Sequence, residues 1–80
     1  MSEVQRSPTP GEWIMFDGTK KIAVFRQVEL GRRHEKMIRS VTWAPTSEER
    51  VLIGYFPHLE MAAWVTWREW LRSKRPERSS

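Results

Sequence analysis

The chain contains no cysteine, so neither a disulfide nor a thiolate metal site holds it together. Histidine is scarce as well. His34 and His58 stand far apart with no carboxylates at ligand spacing, and no metal or other cofactor is expected. No apolar run approaches the ~20 residues that a membrane-crossing helix needs. The opening Met1-Ser-Glu-Val-Gln-Arg6 lacks the apolar stretch of a signal peptide, so a cytoplasmic location is expected. A glycine-rich phosphate loop and a nucleophile elbow are both missing. Ser40, Thr42, Thr46 and Ser47 have no histidine near them in sequence, and the adjacent Glu48 and Glu49 point apart in extended chain. No convergent acid–base set emerges, so neither an enzyme nor a small-molecule substrate is expected.

Eighty residues make one domain at most. A domain of this size buries only about 60% of the surface that its unfolded chain exposes, so each large side chain counts. With disulfides and metal excluded, dense aromatic packing is the remaining remedy, and the chain holds five tryptophans.

The net charge of +4 is unevenly spread. Residues 20–42 hold seven basic and two acidic side chains, and residues 61–80 hold five and two, while the stretches between and before them are mildly acidic. Two basic blocks on such a chain suit a polyanion or an acidic protein surface.

Residues 1–10 are polar with two prolines and read as a disordered lead, and residues 74–80 (KRPERSS) read as a basic tail. The domain is expected over residues 11–73. Glu12–Phe16 is a short aromatic strand ending in Asp17-Gly18, a pair suited to a type I′ hairpin. Lys20–Leu30 and Glu35–Trp43 are two further strands joined by a turn at Gly31–His34. A four-residue loop there sets Leu30 against Glu35, Val28 against Met37, Val24 against Val41 and Ile22 against Trp43, with Glu29 meeting Lys36 on the reverse side. Both faces agree with that register.

Thr46 and Glu49 have capping-box spacing for a brief helical turn, and Arg50–Phe56 has the content of a fourth strand. From His58 to about Ser73 the period becomes helical, with Leu59, Ala63, Trp64, Trp67, Trp70 and Leu71 on one broad face. The sequence therefore predicts an α+β fold: a three- to four-stranded antiparallel sheet packed on one C-terminal amphipathic helix. Because the sheet needs a cover, the helix is expected to lie on it rather than on a membrane.

The register also sets Arg26 against Arg39 in the middle of the Val24–Val41 face. Like charges directly opposite each other destabilise a sheet, and burying them unpaired costs far more. Three resolutions are open at this point. A helix carboxylate (Glu60 or Glu69) neutralises the pair, the helix leaves it at its margin, or the face is open and takes an external anion such as phosphate. Lys20, Lys21 and Lys36 surround the pair, and Arg32 and Arg33 sit on a hairpin tip where a basic side chain reaches a phosphate or a groove.

Arg50-Val-Leu-Ile-Gly54-Tyr-Phe56-Pro-His-Leu-Glu60-Met-Ala62-Ala63 resembles the strand–turn–helix core of the ethylene-response-factor (APETALA-type) DNA-binding domain. The shared elements are an arginine four before a glycine, Gly-x-Phe, a short turn and Glu-x-Ala-Ala. Similar modules are the arm-binding domains of phage-type integrases. The resemblance implies that the open sheet face enters a major groove and that Arg50 contacts DNA. The family's tryptophan two residues later is Leu52 here, and its arginine-rich first strand is replaced by the apolar Trp13–Phe16.

The leading expectation is a nucleic-acid-binding module for duplex DNA. Arg26, Arg39 and Arg50 would contact phosphates or base edges, with Lys20, Lys21, Lys36 and Arg33 on the backbone. The alternative is a protein-interaction module, such as a phage or mobile-element protein that binds a host complex.

Overall fold

A computed structural model describes residues 2–74. Its sheet is an antiparallel meander of five strands in chain order: β1 (Ser2–Arg6), β2 (Glu12–Asp17), β3 (Lys20–Leu30), β4 (Glu35–Thr42) and β5 (Leu52–Phe56). A short 3-10 turn (Ser47–Glu49) lies between β4 and β5, and one helix, α1 (Leu59–Lys74), closes the described chain.

The α+β architecture is as the sequence predicts, with more strand than expected. Residues 2–6 belong to the sheet rather than to a disordered lead: β1 pairs with β2 from Ser2↔Asp17 to Arg6↔Trp13, and Val4 packs against the core. The two prolines mark the β1–β2 connection, where Gly11 takes a φ of 74° and the Ser7 amide donates to the Glu12 carbonyl at 3.0 Å. A single apolar residue in five gave this strand little signal. The expected tail falls on residues 74–80. Lys74 is instead the last residue of α1, and the rest lies outside the described residues.

The β2–β3 turn also differs from the type I′ expectation. Gly18 and Thr19 form the loop, and of the two only Gly18 takes positive φ (65°). That is the II′ pattern, which asks for glycine at the first central position. The 3-10 turn begins after Thr46 as the spacing suggests, but the Thr46 side chain makes no capping hydrogen bond.

The β3–β4 register is the predicted one at every pair from Val24↔Val41 to Leu30↔Glu35, Arg26↔Arg39 included. Of the two faces, α1 covers the one opposite Val24 and Val41, so the arginine pair lies on the open face, one of the three resolutions that the sequence leaves open. Met15, Ala23, Phe25 and Ile38 form the core with Ala62 of the helix. Val24 and Val41 lie on the other face. A bulge explains how Ile22 joins the core without them: the β2–β3 register shifts between Met15 and Phe16, leaving Ile22 without a partner on β2 and turned to the side of Ala23, while its carbonyl accepts from the Trp43 amide at 3.0 Å.

Within this core Ser40 and Thr66 are almost fully buried, and their hydroxyls meet at 2.6 Å. That bond satisfies both groups in an otherwise apolar layer. Trp67 and Trp70 pack against the core as expected. Trp64 and Leu71 do not: Trp64 is 61% exposed with the Arg68 guanidinium 4.7 Å over its ring, and Leu71 is 42% exposed. The buried stripe of α1 runs through Ala62 and Thr66, small residues that let helix and sheet approach closely. Phe56 folds its ring over Gly54, where a Cβ would come within 3.1 Å of it.

Candidate nucleic-acid interface

Side chains alternate across a strand, so the face away from α1 carries Glu12, Arg26 and Arg39 in adjacent register positions on β2, β3 and β4. The β4–β5 connection bends over this face. There Arg50 Nε donates to the Ala44 carbonyl at 3.1 Å, fixing the loop's end to its beginning. The result is a cleft of about 230 Å³ with Val24 and Val41, both buried, and a polar lining of Arg26, Arg39, Arg50 and Ser47.

Of the three resolutions for the arginine pair, the helix carboxylates are ruled out by position, since α1 lies on the other side. The neutralising group comes from β2. Arg26 Nη2 donates to Glu12 Oε2 at 2.9 Å, and the Ser7 hydroxyl donates to Glu12 Oε1 at 2.7 Å. The Ser7 bond first, then that of Arg26, hold the Glu12 carboxyl below its ordinary pKa of 4.5, against burial, which pushes the other way. Glu12 therefore stays ionised and offsets one positive charge.

Arg39 has no ion-pair partner among the described residues although it is half-buried, and Arg50 has only its carbonyl. Glu48 and Glu49 follow Ser47 on the loop but are exposed and pair with neither arginine. The cleft is thus rich in donors and short of acceptors.

The remaining basic residues fall into two places. The β3–β4 hairpin outruns the strands on either side: β2 pairing ends at Arg26 and β5 pairing at Ile38, so Val28–Leu30 and Glu35–Met37 pair only with each other. This two-stranded ribbon carries Arg32 and Arg33 on its exposed tip, roughly 15 Å beyond the cleft. Lys36 stands on the ribbon opposite Glu29, but on the α1 side by alternation, and Glu29 contacts His34 Nδ1 at 3.5 Å.

Lys20 and Lys21 are at the far end of the molecule. Their ammonium groups lie over Trp70 and Trp43, 5.2 and 5.6 Å from the ring centres. The structure therefore gathers Arg26, Arg39 and Arg50, holds Arg32 and Arg33 in line with them, and separates Lys20 and Lys21.

Reasoning from the sequence missed Glu12 and Ser47. Glu12 comes opposite Arg26 only because the register shifts by one residue between Met15 and Phe16, a bulge that turn length alone does not foresee. Ser47 reaches the cleft through a loop whose path has no sequence signal.

Among the described residues no cluster of three or more His, Asp or Glu is placed to hold a metal, and no helix is long and apolar enough to cross a membrane. No family model, no curated protein and no solved structure matches the chain, so the likeness of residues 50–63 to the ethylene-response-factor core rests on those residues alone.

Proposed function

We propose that this chain is a nucleic-acid-binding module that docks on duplex DNA through the face of the sheet left open by α1. The observation that carries the reading is the convergence of Arg26, Arg39 and Arg50 on that face, with Arg32 and Arg33 on a ribbon projecting beyond it. A two-stranded ribbon fits the major groove, which is about 12 Å wide. With the ribbon there, the sheet lies against the flanking phosphate backbone, where arginine forks bind phosphate oxygens in pairs. The likeness of Arg50–Ala63 to a DNA-binding core leans the same way.

Titrating a labelled random-sequence duplex at two salt concentrations tests it. Micromolar or tighter binding that falls steeply with salt is expected, and no binding even at low salt rejects the proposal.

One observation favours a second reading, a protein-interaction module. The outer side of α1 exposes Met61, Trp64 and Leu71, and tryptophan is enriched at protein–protein hot spots. A host protein partner held there would bind with little dependence on salt, and Trp64→Ala would abolish it.

A further inference from the structure

We infer that the cleft between Val24, Val41 and the β4–β5 loop is a discrete seat for a single phosphate group. The inference deepens the proposed function and rests on the same face. Three features single out this ligand class.

First, the donors have no internal acceptor. Arg39 is half-buried without an ion pair, Ser47 contributes a hydroxyl, and Arg50 keeps its terminal nitrogens after giving Nε to Ala44. The one acid nearby, Glu12, is already held by Arg26 and Ser7. Second, these donors come from different elements, Arg39 from β4 and Ser47 and Arg50 from the loop above it. They line one cleft from more than one side, which suits a tetrahedral oxyanion better than a flat carboxylate. Third, the buried Val24 and Val41 sit beside the arginines, and an apolar wall strengthens a charge pair relative to open water.

A cleft of about 230 Å³ admits a phosphate and part of its sugar but no base pair. Recognition at this point is therefore independent of sequence. A bound phosphate also ties the loop to the sheet, because it bridges Arg39 to Ser47 and Arg50.

The test uses the full chain and inorganic phosphate, followed by amide chemical shifts at constant ionic strength with chloride as the balancing anion. Saturating shifts confined to residues around Arg39 and Ser47–Arg50 are expected. Arg39→Gln should weaken the phosphate dissociation constant by about tenfold or more, and Ser47→Ala by less. Shifts that never saturate, or that are as large at Arg32, Arg33, Lys20 and Lys21, overturn the seat. So does an unchanged constant in Arg39→Gln, whose fold is checked by the retained shifts of Phe25 and Thr66.

A duplex titration beside it separates the two claims. Saturable phosphate without duplex binding keeps the seat, assigns it to a free phosphate ester, and rejects the DNA reading. Duplex binding that Arg39→Gln leaves intact, without saturable phosphate, keeps the DNA reading and rejects the seat.

Discussion

The salt dependence of duplex binding can be worked out from the charges on the open face. Arg32, Arg33, Arg39 and Arg50 are on that face or its ribbon without a carboxylate partner, whereas Arg26 is offset by Glu12 at 2.9 Å. Arg68 and Arg72 are on α1, across the sheet, and do not count. With Arg39 and Arg50 sharing one phosphate and Arg32 and Arg33 meeting one each, three neutralised phosphates give a slope of log K against log salt of about −2.7, or roughly a 40-fold loss of affinity between 50 and 200 mM salt. Arg32→Ala/Arg33→Ala should cut the slope to about −0.9, and Glu12→Gln, which releases Arg26, should steepen it to about −3.6 while tightening binding at low salt. Fluorescence anisotropy of one labelled duplex at four salt concentrations measures all three. The tip residues are exposed, so the double variant should keep the parent's circular dichroism. A parent slope shallower than about −1, or one that Arg68→Ala/Arg72→Ala reduces and the tip double variant does not, refutes the geometry.

Thr66→Val leaves the Ser40 hydroxyl buried and unpaired and should cost about 1–3 kcal/mol, while Thr66→Val with Ser40→Ala should cost less than the sum of the single changes. Urea unfolding followed by tryptophan fluorescence reads that cycle, and additivity would show that the hydroxyls do not interact. Trp67→Ala should cost about 3–5 kcal/mol, whereas the exposed Trp64→Ala should cost under about 1 kcal/mol in the same assay. Because the Glu12 pKa is lowered on folding, its contribution is fully present above about pH 4.5 and is lost as the pH falls through the lower folded value. Melting temperatures from pH 6 downwards should therefore decline more steeply for the parent than for Glu12→Gln. Arg39→Gln should leave the free protein at least as stable as the parent, and a clear loss of stability in thermal melts would contradict the repulsion described below.

What was legible in the sequence follows the range of the interactions involved. The β3–β4 hairpin could be read to the residue because a four-residue loop fixes its register and both faces then check it. The helix was legible by period, and its entry at His58 is held as expected, with the Ala62 amide donating to the His58 carbonyl. Which face the helix covers was not legible, and the reason is specific. Val24 and Val41 look like core, and they are buried, but beneath a loop rather than beneath α1. The true core holds Ala23 and Ser40, which composition alone would place outside. Most of the expected helix stripe does face the sheet, since Leu59, Ala63, Trp67 and Trp70 pack against the core, but Trp64 points outward and Thr66 points in. The Arg26–Arg39 pair was legible because it depends only on strand register.

That pair also separates a structural role from a binding one. Cross-strand like charges work against the fold, and here Arg50 is brought in as a third cation while only one acid answers them. A sequence selected for stability alone would place an acid or an apolar residue at position 39, as it places Glu12 opposite Arg26 on the neighbouring strand. The local conflict persists on the one sheet face that has no helix over it, and sites where local rules are broken without compensation are where function is expected. An anion seated between Arg39 and Arg50 removes the repulsion and satisfies the donors at once. The free protein therefore carries a small electrostatic penalty that the bound state does not, so binding and stability should respond in opposite directions to the same substitution at Arg39.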